Sequence, residues 1–153
     1  MATQSAGILL YRTAQKDIEV MLVHPGGPFW KNKDAGAWTI PKGEFTDGEE
    51  PLQAALREFA EETGVFLQGS FIQLEPMLQK SGKKVFAWAA EGDLDVTNIS
   101  SNMFSTEWPP HSGKQQQFPE IDRAAWFDTK TALHQLLPAQ APFIHQLLIL
   151  LKR

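Results

Sequence analysis

The sequence predicts an α/β domain in layers. Three observations carry that reading: two extended apolar runs near the N-terminus, one sharply bounded amphipathic helix at residues 51–63, and further extended runs after it. Strands on both sides of a central helix bury their apolar faces when sheet and helices stack. The chain's 153 residues fit one domain spanning 1–153, a size that buries about two-thirds of its unfolded surface without metal or disulfide staples.

Residues 6–11 and 18–24 read as two strands, joined by a polar link at 13–16 as a hairpin. Pro25-Gly26-Gly27-Pro28 stops the second and opens a loop carrying Phe29, Trp30, Lys31 and Lys33. Trp38-Thr39-Ile40 is a short extended piece ended by Pro41, and residues 43–48 form a turn-rich loop. The helix has Pro51 at its first position and Gly64 just past its end. Its Leu52, Ala55, Leu56 and Phe59 recur at helical spacing and should face the core. Glu50 stands where Ser, Thr or Asp would cap better. Strands follow at 71–78 and 84–90 around a Lys80-Ser81-Gly82-Lys83 turn, and 93–117 reads as a long loop. A last strand at 123–128 and helices at 132–137 and 142–152 complete the chain.

Composition removes whole classes of function. Without cysteine there is no disulfide framework, thiolate zinc site or cysteine nucleophile. A balance of 14 Lys+Arg against 18 Asp+Glu gives no general attraction to nucleic acid or anionic membrane. No signal-peptide pattern opens the chain, and the apolar run at 143–151 is interrupted by His145 and Gln146. That run is far short of the roughly 20 residues that span a bilayer, so a cytoplasmic protein is expected. The four histidines form no ligand set, and neither a G-x-S-x-G elbow nor a G-x4-G-K-[ST] loop occurs.

The informative segment is 43–65. At about 100° per residue, Glu58, Glu61 and Glu62 share one helix face, with the apolar residues on roughly the opposite side. Carboxylates three and four residues apart repel by a few tenths of a kcal/mol per pair. A solvated acidic face is one reading. A hard divalent cation, which prefers such oxygen ligands, is the other.

The full spacing is Gly43, five residues, Glu49, seven residues, then Arg57-Glu58-Phe59-x-Glu61-Glu62-x-Gly64-Val65. It resembles the Nudix box of the Nudix hydrolase family at every defined position. Trp38-Thr39-Ile40-Pro41-Lys42-Gly43 is similar to the W-x-x-P-K-G lead-in of family members acting on nucleotides and dinucleoside polyphosphates. The resemblance implies an α/β/α sandwich around a mixed β-sheet. It implies Mg²⁺, with Mn²⁺ as substitute, on Glu58, Glu61, Glu62 and the Gly43 carbonyl. Arg57 and Glu49 would pair to orient the loop. The reaction implied is hydrolysis of a diphosphate linkage in a nucleoside diphosphate joined to another group, with Glu62 or Glu120 as base.

A small-molecule nucleotide is the expected partner. Lys42 beside the box stands where ADP-ribose-type members carry Ala, which favours a nucleoside polyphosphate or dinucleoside polyphosphate. Phe29 and Trp30 are candidates to stack on a base, and the long loop with Trp108 and Lys114 to cover the other end. An ADP-ribose or sugar-nucleotide pyrophosphatase, and a binding module without turnover, are the alternatives.

Overall fold

The structure, a computed structural model, describes residues 4–152. Strands β1 (Gln4–Ala14) and β2 (Asp17–Pro25) form the expected hairpin. Its two-residue link, Gln15-Lys16, has φ of +49° and +74°. Those left-handed values give the turn a twist that matches the strands, here without Gly or Asn.

β1 is the centre of the sheet and is buried along most of its length, as a continuous apolar run requires. It pairs in parallel with β6 (Lys84–Glu91) on one side. On the other side it forks. Its first half pairs antiparallel with β3 (Lys42–Phe45), and its second half pairs with β2. β2 continues outward to β9 (Ile121–Asp128). Residues 38–41 fill the fork: Thr39 exchanges two backbone hydrogen bonds with Val23, and the Pro41 carbonyl accepts from Ile8. Gly7 sits in that crotch because a Cβ there would run into the Pro41 carbonyl and the Lys42 side chain.

Two apolar layers enclose the sheet. Helix α1 (Pro51–Thr63) covers one face, where Ala55 and Phe59 pack against Ala6, Ile8, Leu10 and Met21. Helices α2 (Thr129–Gln135) and α3 (Ala141–Leu150) cover the other, where Phe143, Ile144 and Leu147 meet Leu9, Val20 and Leu22. Complete burial of Phe59 or Phe143 contributes about 1.5–3 kcal/mol each. The arrangement is the expected α/β/α sandwich around a mixed sheet. Among the described residues no helix is long and apolar enough to cross a membrane.

Three expectations are corrected. Residues 43–45, expected to open the loop at 43–48, instead belong to strand β3, drawn into the ladder by Gln4–Gly7. The strand expected at 71–78 is two short pieces, β4 (Ile72–Gln73) and β5 (Met77–Leu78). Pro76 has no N–H to give, and the Glu75 N–H is taken by the Gln146 side chain at 2.6 Å. The long loop at 93–117 contains a 3₁₀ turn at Val96–Asn98 and most of a separate hairpin, β7 (Met103–Glu107) with β8 (Gln115–Pro119).

Candidate active site

Helix α1 runs over the predicted 51–63, ends at Gly64 with φ +82°, and has no side-chain cap at Glu50. Its buried residues are Ala54, Ala55, Glu58, Phe59, Glu62 and Thr63. This corrects the expected separation of the glutamates from the apolar face. Glu58 and Glu62 lie at the centre of the buried arc, while Leu52 and Leu56 are only partly covered. The reason is β3, which lies against α1: a Cβ on Gly43 would land on the Glu58 carboxylate. Only glycine lets the strand approach that closely.

Arg57 organises the carboxylates. Its Nε and Nη2 donate to the two Glu49 oxygens at 2.8 and 2.9 Å, a bidentate form of the ion pair that the resemblance implied. Its Nη1 also donates to Glu58 at 2.9 Å and to Glu61 at 3.2 Å. These bonds hold the Arg57 guanidinium above its usual range.

The electrostatics are those of crowded buried acids. Burial and then Glu58 push the Glu62 carboxyl up to about 8, against a weaker opposing pull from Lys42. Burial and then Glu61 raise Glu58, with Arg57 opposing. Burial and then Glu61 raise Glu120 as well. Glu120 thus lies within electrostatic reach of the box acids, although 58 positions separate it from Glu62 in sequence. It is held by its backbone: its N–H donates to Asn102, and its carbonyl accepts from Gly26, both at 2.8 Å.

Among the described residues no group of three Asp, Glu, His or Cys side chains is arranged to hold a metal ion. In the box, Arg57 Nη1 bonds both Glu58 and Glu61. The donor chemistry nonetheless fits a hard divalent cation. Glu58, Glu61 and Glu62 offer carboxylate oxygens, two of them buried, whose mutual repulsion such an ion would relieve.

From Glu120 a cleft of about 560 Å³ extends between the 25–30 loop and the β7–β8 hairpin. Phe29, Trp30, Phe104 and Trp108 line it, with Glu107 at its margin. Phe29 and Trp30 meet edge to face at 5.2 Å, and Lys33 Nζ lies 3.6 Å from the centre of the Phe29 ring. The structure therefore brings Glu120, Phe29 and Trp30 together. Lys114 stands apart in the hairpin turn, where its carbonyl accepts from Trp108 at 3.0 Å. The Lys42 ammonium acts on Glu62 and Glu58 through its charge, although its side chain leaves β3 on the other face. Gly43 faces α1, so Lys42 and Glu44 on either side of it face the opposite layer. Burial, and then Lys83, lower the Lys42 ammonium, while Glu62, Glu44 and Glu58 raise it.

The sequence reading missed Phe104 and Lys83. A period-two pattern with β-formers at 103–107 was the available signal for the first. Nothing local marks the second, since only the β1–β6 pairing brings it near Lys42 and Glu44.

Comparison with known proteins agrees with this architecture. The family model described as NUDIX domain matches residues 1–147. The asymmetrical bis(5'-nucleosyl)-tetraphosphatase of Rattus norvegicus is 42% identical over 66 residues, covering 39% of this chain and 45% of that protein. The chain spans less than half the length of such curated relatives. A C. elegans Ap4A hydrolase in a binary complex superposes with a TM-score of 0.63 at 21% identity, covering 99% of this chain and 98% of the other. The NUDIX domain of Shewanella oneidensis NrtR, complexed with ADP ribose, gives 0.65 at 19% identity, covering 99% and 89%. At those identities the structures speak for the fold alone. Together, the family match across nearly the whole chain, the intact box and the α/β/α sandwich show that this chain belongs to the Nudix family.

Proposed function

We propose that this chain is a divalent-metal-dependent pyrophosphohydrolase acting on a nucleoside polyphosphate or dinucleoside polyphosphate. The observation that carries the reading is Glu120, which lines the aromatic cleft and feels the charge of Glu61 in the box; this supports a single site with a base beside the acids. The name of the rat relative, a bis(5'-nucleosyl)-tetraphosphatase, supports the same substrate class.

Glu58, Glu61 and Glu62 would hold the metal, with the Gly43 carbonyl as a further oxygen donor; Mg²⁺ is the proposed ion and Mn²⁺ its substitute. When bound, the ion neutralises phosphate charge and makes water a better nucleophile. The rest falls to the chain itself. Arg57 ties the loop at Glu49 to the helix and sets the angle of Glu58 and Glu61. As water bonds to phosphorus and the bond to the bridging oxygen breaks, Glu62 or Glu120 takes the water's proton. Phe29 or Trp30 stacks on the base, and Trp108 closes the outer end of the cleft. Lys42 contributes positive potential near Glu62, which suits a phosphate chain with more charge than the metal alone offsets.

A substrate panel tests this. Nucleoside polyphosphates, dinucleoside tetraphosphate, ADP-ribose and a sugar nucleotide are compared with Mg²⁺ and with excess chelator. Full turnover in chelator overturns the metal requirement. A kcat/KM for ADP-ribose well above that of every polyphosphate overturns the substrate class. No turnover of any compound, with tight nucleotide binding, favours the binding module.

A further inference from the structure

Ser5, His24 and Gln140 are fully buried polar side chains that the mechanism leaves unused. Of these, His24, the next-to-last residue of β2, has a polar partner at each ring nitrogen. Its Nε2 meets the Lys33 carbonyl at 2.6 Å, and its Nδ1 meets Asp122 Oδ1 at 2.9 Å. Both partners are acceptors, a carbonyl on one side of the ring and a carboxylate on the other. Arg123 Nε stands 3.6 Å from the same Asp122 oxygen, and Trp38 packs edge-on to the imidazole at 5.2 Å.

These bonds join the two parts of the site that differ most in origin. Lys33 ends the loop that carries Phe29 and Trp30: its N–H donates to the Trp30 carbonyl at 2.9 Å, and its ammonium lies over both rings. Asp122 stands two residues past Glu120 on β9. Other tethers of the loop include the Gly26 N–H to Glu120, and Asp34 Oδ1, which accepts from Trp38 Nε1 at 2.8 Å and from Gln135 Nε2 at 3.0 Å. Among these tethers His24 is the side chain that bonds the aromatic end of the loop to the Glu120 strand. In a buried setting such bonds are strong and directional, so they hold a loop that would otherwise have to be ordered by the ligand.

We propose that His24 is a positioning residue that, through Asp122 and the Lys33 carbonyl, fixes the base-stacking loop relative to Glu120 and so sets nucleoside affinity. The inference rests on the proposed reading of the aromatic cleft as the base site. It makes His24 and Asp122 determinants of how much the enzyme gains from a base, rather than of how it cleaves phosphate.

The test titrates wild type, His24→Gln and Asp122→Asn with α,β-methylene-ATP and with methylenediphosphonate, a ligand without a base, both with Mg²⁺. The variants are expected to bind the nucleotide analogue about 10-fold more weakly while binding of methylenediphosphonate changes less than about twofold. In turnover, KM is expected to rise about 10-fold and kcat to fall less than about threefold. Asp122 is partly exposed, so Asp122→Asn decides the matter if His24→Gln does not fold. Unchanged nucleotide affinity in the variants, or an equal loss for both ligands, overturns the positioning role. Equal affinity of the wild type for both ligands instead defeats the base-site reading beneath it.

Discussion

Glu62→Gln removes a buried titratable acid and keeps the shape of the side chain, and its effect on stability runs opposite to its effect on activity. In the folded metal-free protein the Glu62 carboxyl is pushed up to about 8, first by burial and then by Glu58, against an ordinary 4.5. Between those values the folded chain keeps a proton that the unfolded chain has released. Stability is therefore greatest at low pH, falls as pH rises above about 4.5 and levels off past about 8. From pH 5.5 to 8 the loss from this one group comes to about 3 kcal/mol. For a chain of this size that is roughly 6–12 °C in Tm. Glutamine does not titrate. Thermal melts in chelator at pH 5.5 and pH 8 should show wild type losing several degrees more than Glu62→Gln, with divalent cation restoring wild type at pH 8 but the variant much less. An equal Tm change for both proteins between the two pH values would refute the assignment of Glu62 as the strained acid.

In turnover, the same Glu62→Gln substitution and Glu61→Gln are expected to lower kcat by about 10²-fold or more with the fold intact, because metal and carboxylate charge act chiefly in the transition state; a variant with wild-type kcat removes that residue from the site. Arg57→Ala frees Glu49 and leaves Glu58 and Glu61 without their cation; steady-state kinetics should show a smaller loss than for Glu62→Gln, and equal losses would make Arg57 more than a scaffold. Gly43→Ala drives a methyl group into the Glu58 carboxylate, so Mg²⁺ titration should reveal weaker activation, whereas wild-type activation would show that β3 can move aside. Gly7→Ala crowds the Pro41 carbonyl at the sheet fork; urea unfolding should register a loss of about 1–3 kcal/mol, and an unchanged midpoint would mean that the crotch is loose.

The sequence by itself determined the elements whose causes are local. Pro51, the stripe through Ala55 and Phe59, and Gly64 mark out helix α1 without reference to the rest of the chain. The same holds for the β1–β2 hairpin, while the Arg57–Glu49 pair came from the family resemblance of that short segment. The box spacing was also legible because one short segment carries it all. The tertiary structure alone decided what depends on distant pairing. Residues 42–45 became a strand only because β1 offered its first half to them. Glu58 and Glu62 became buried acids only because β3 closed over them at Gly43, so the helix pattern alone misjudged their face. Glu120 came within electrostatic reach of the box acids, and His24 became a strap rather than a strand end, through contacts made across about a hundred residues or fewer. Such contacts leave no local trace. Their energy depends on burial and distance, and both exist only once the sheet has formed.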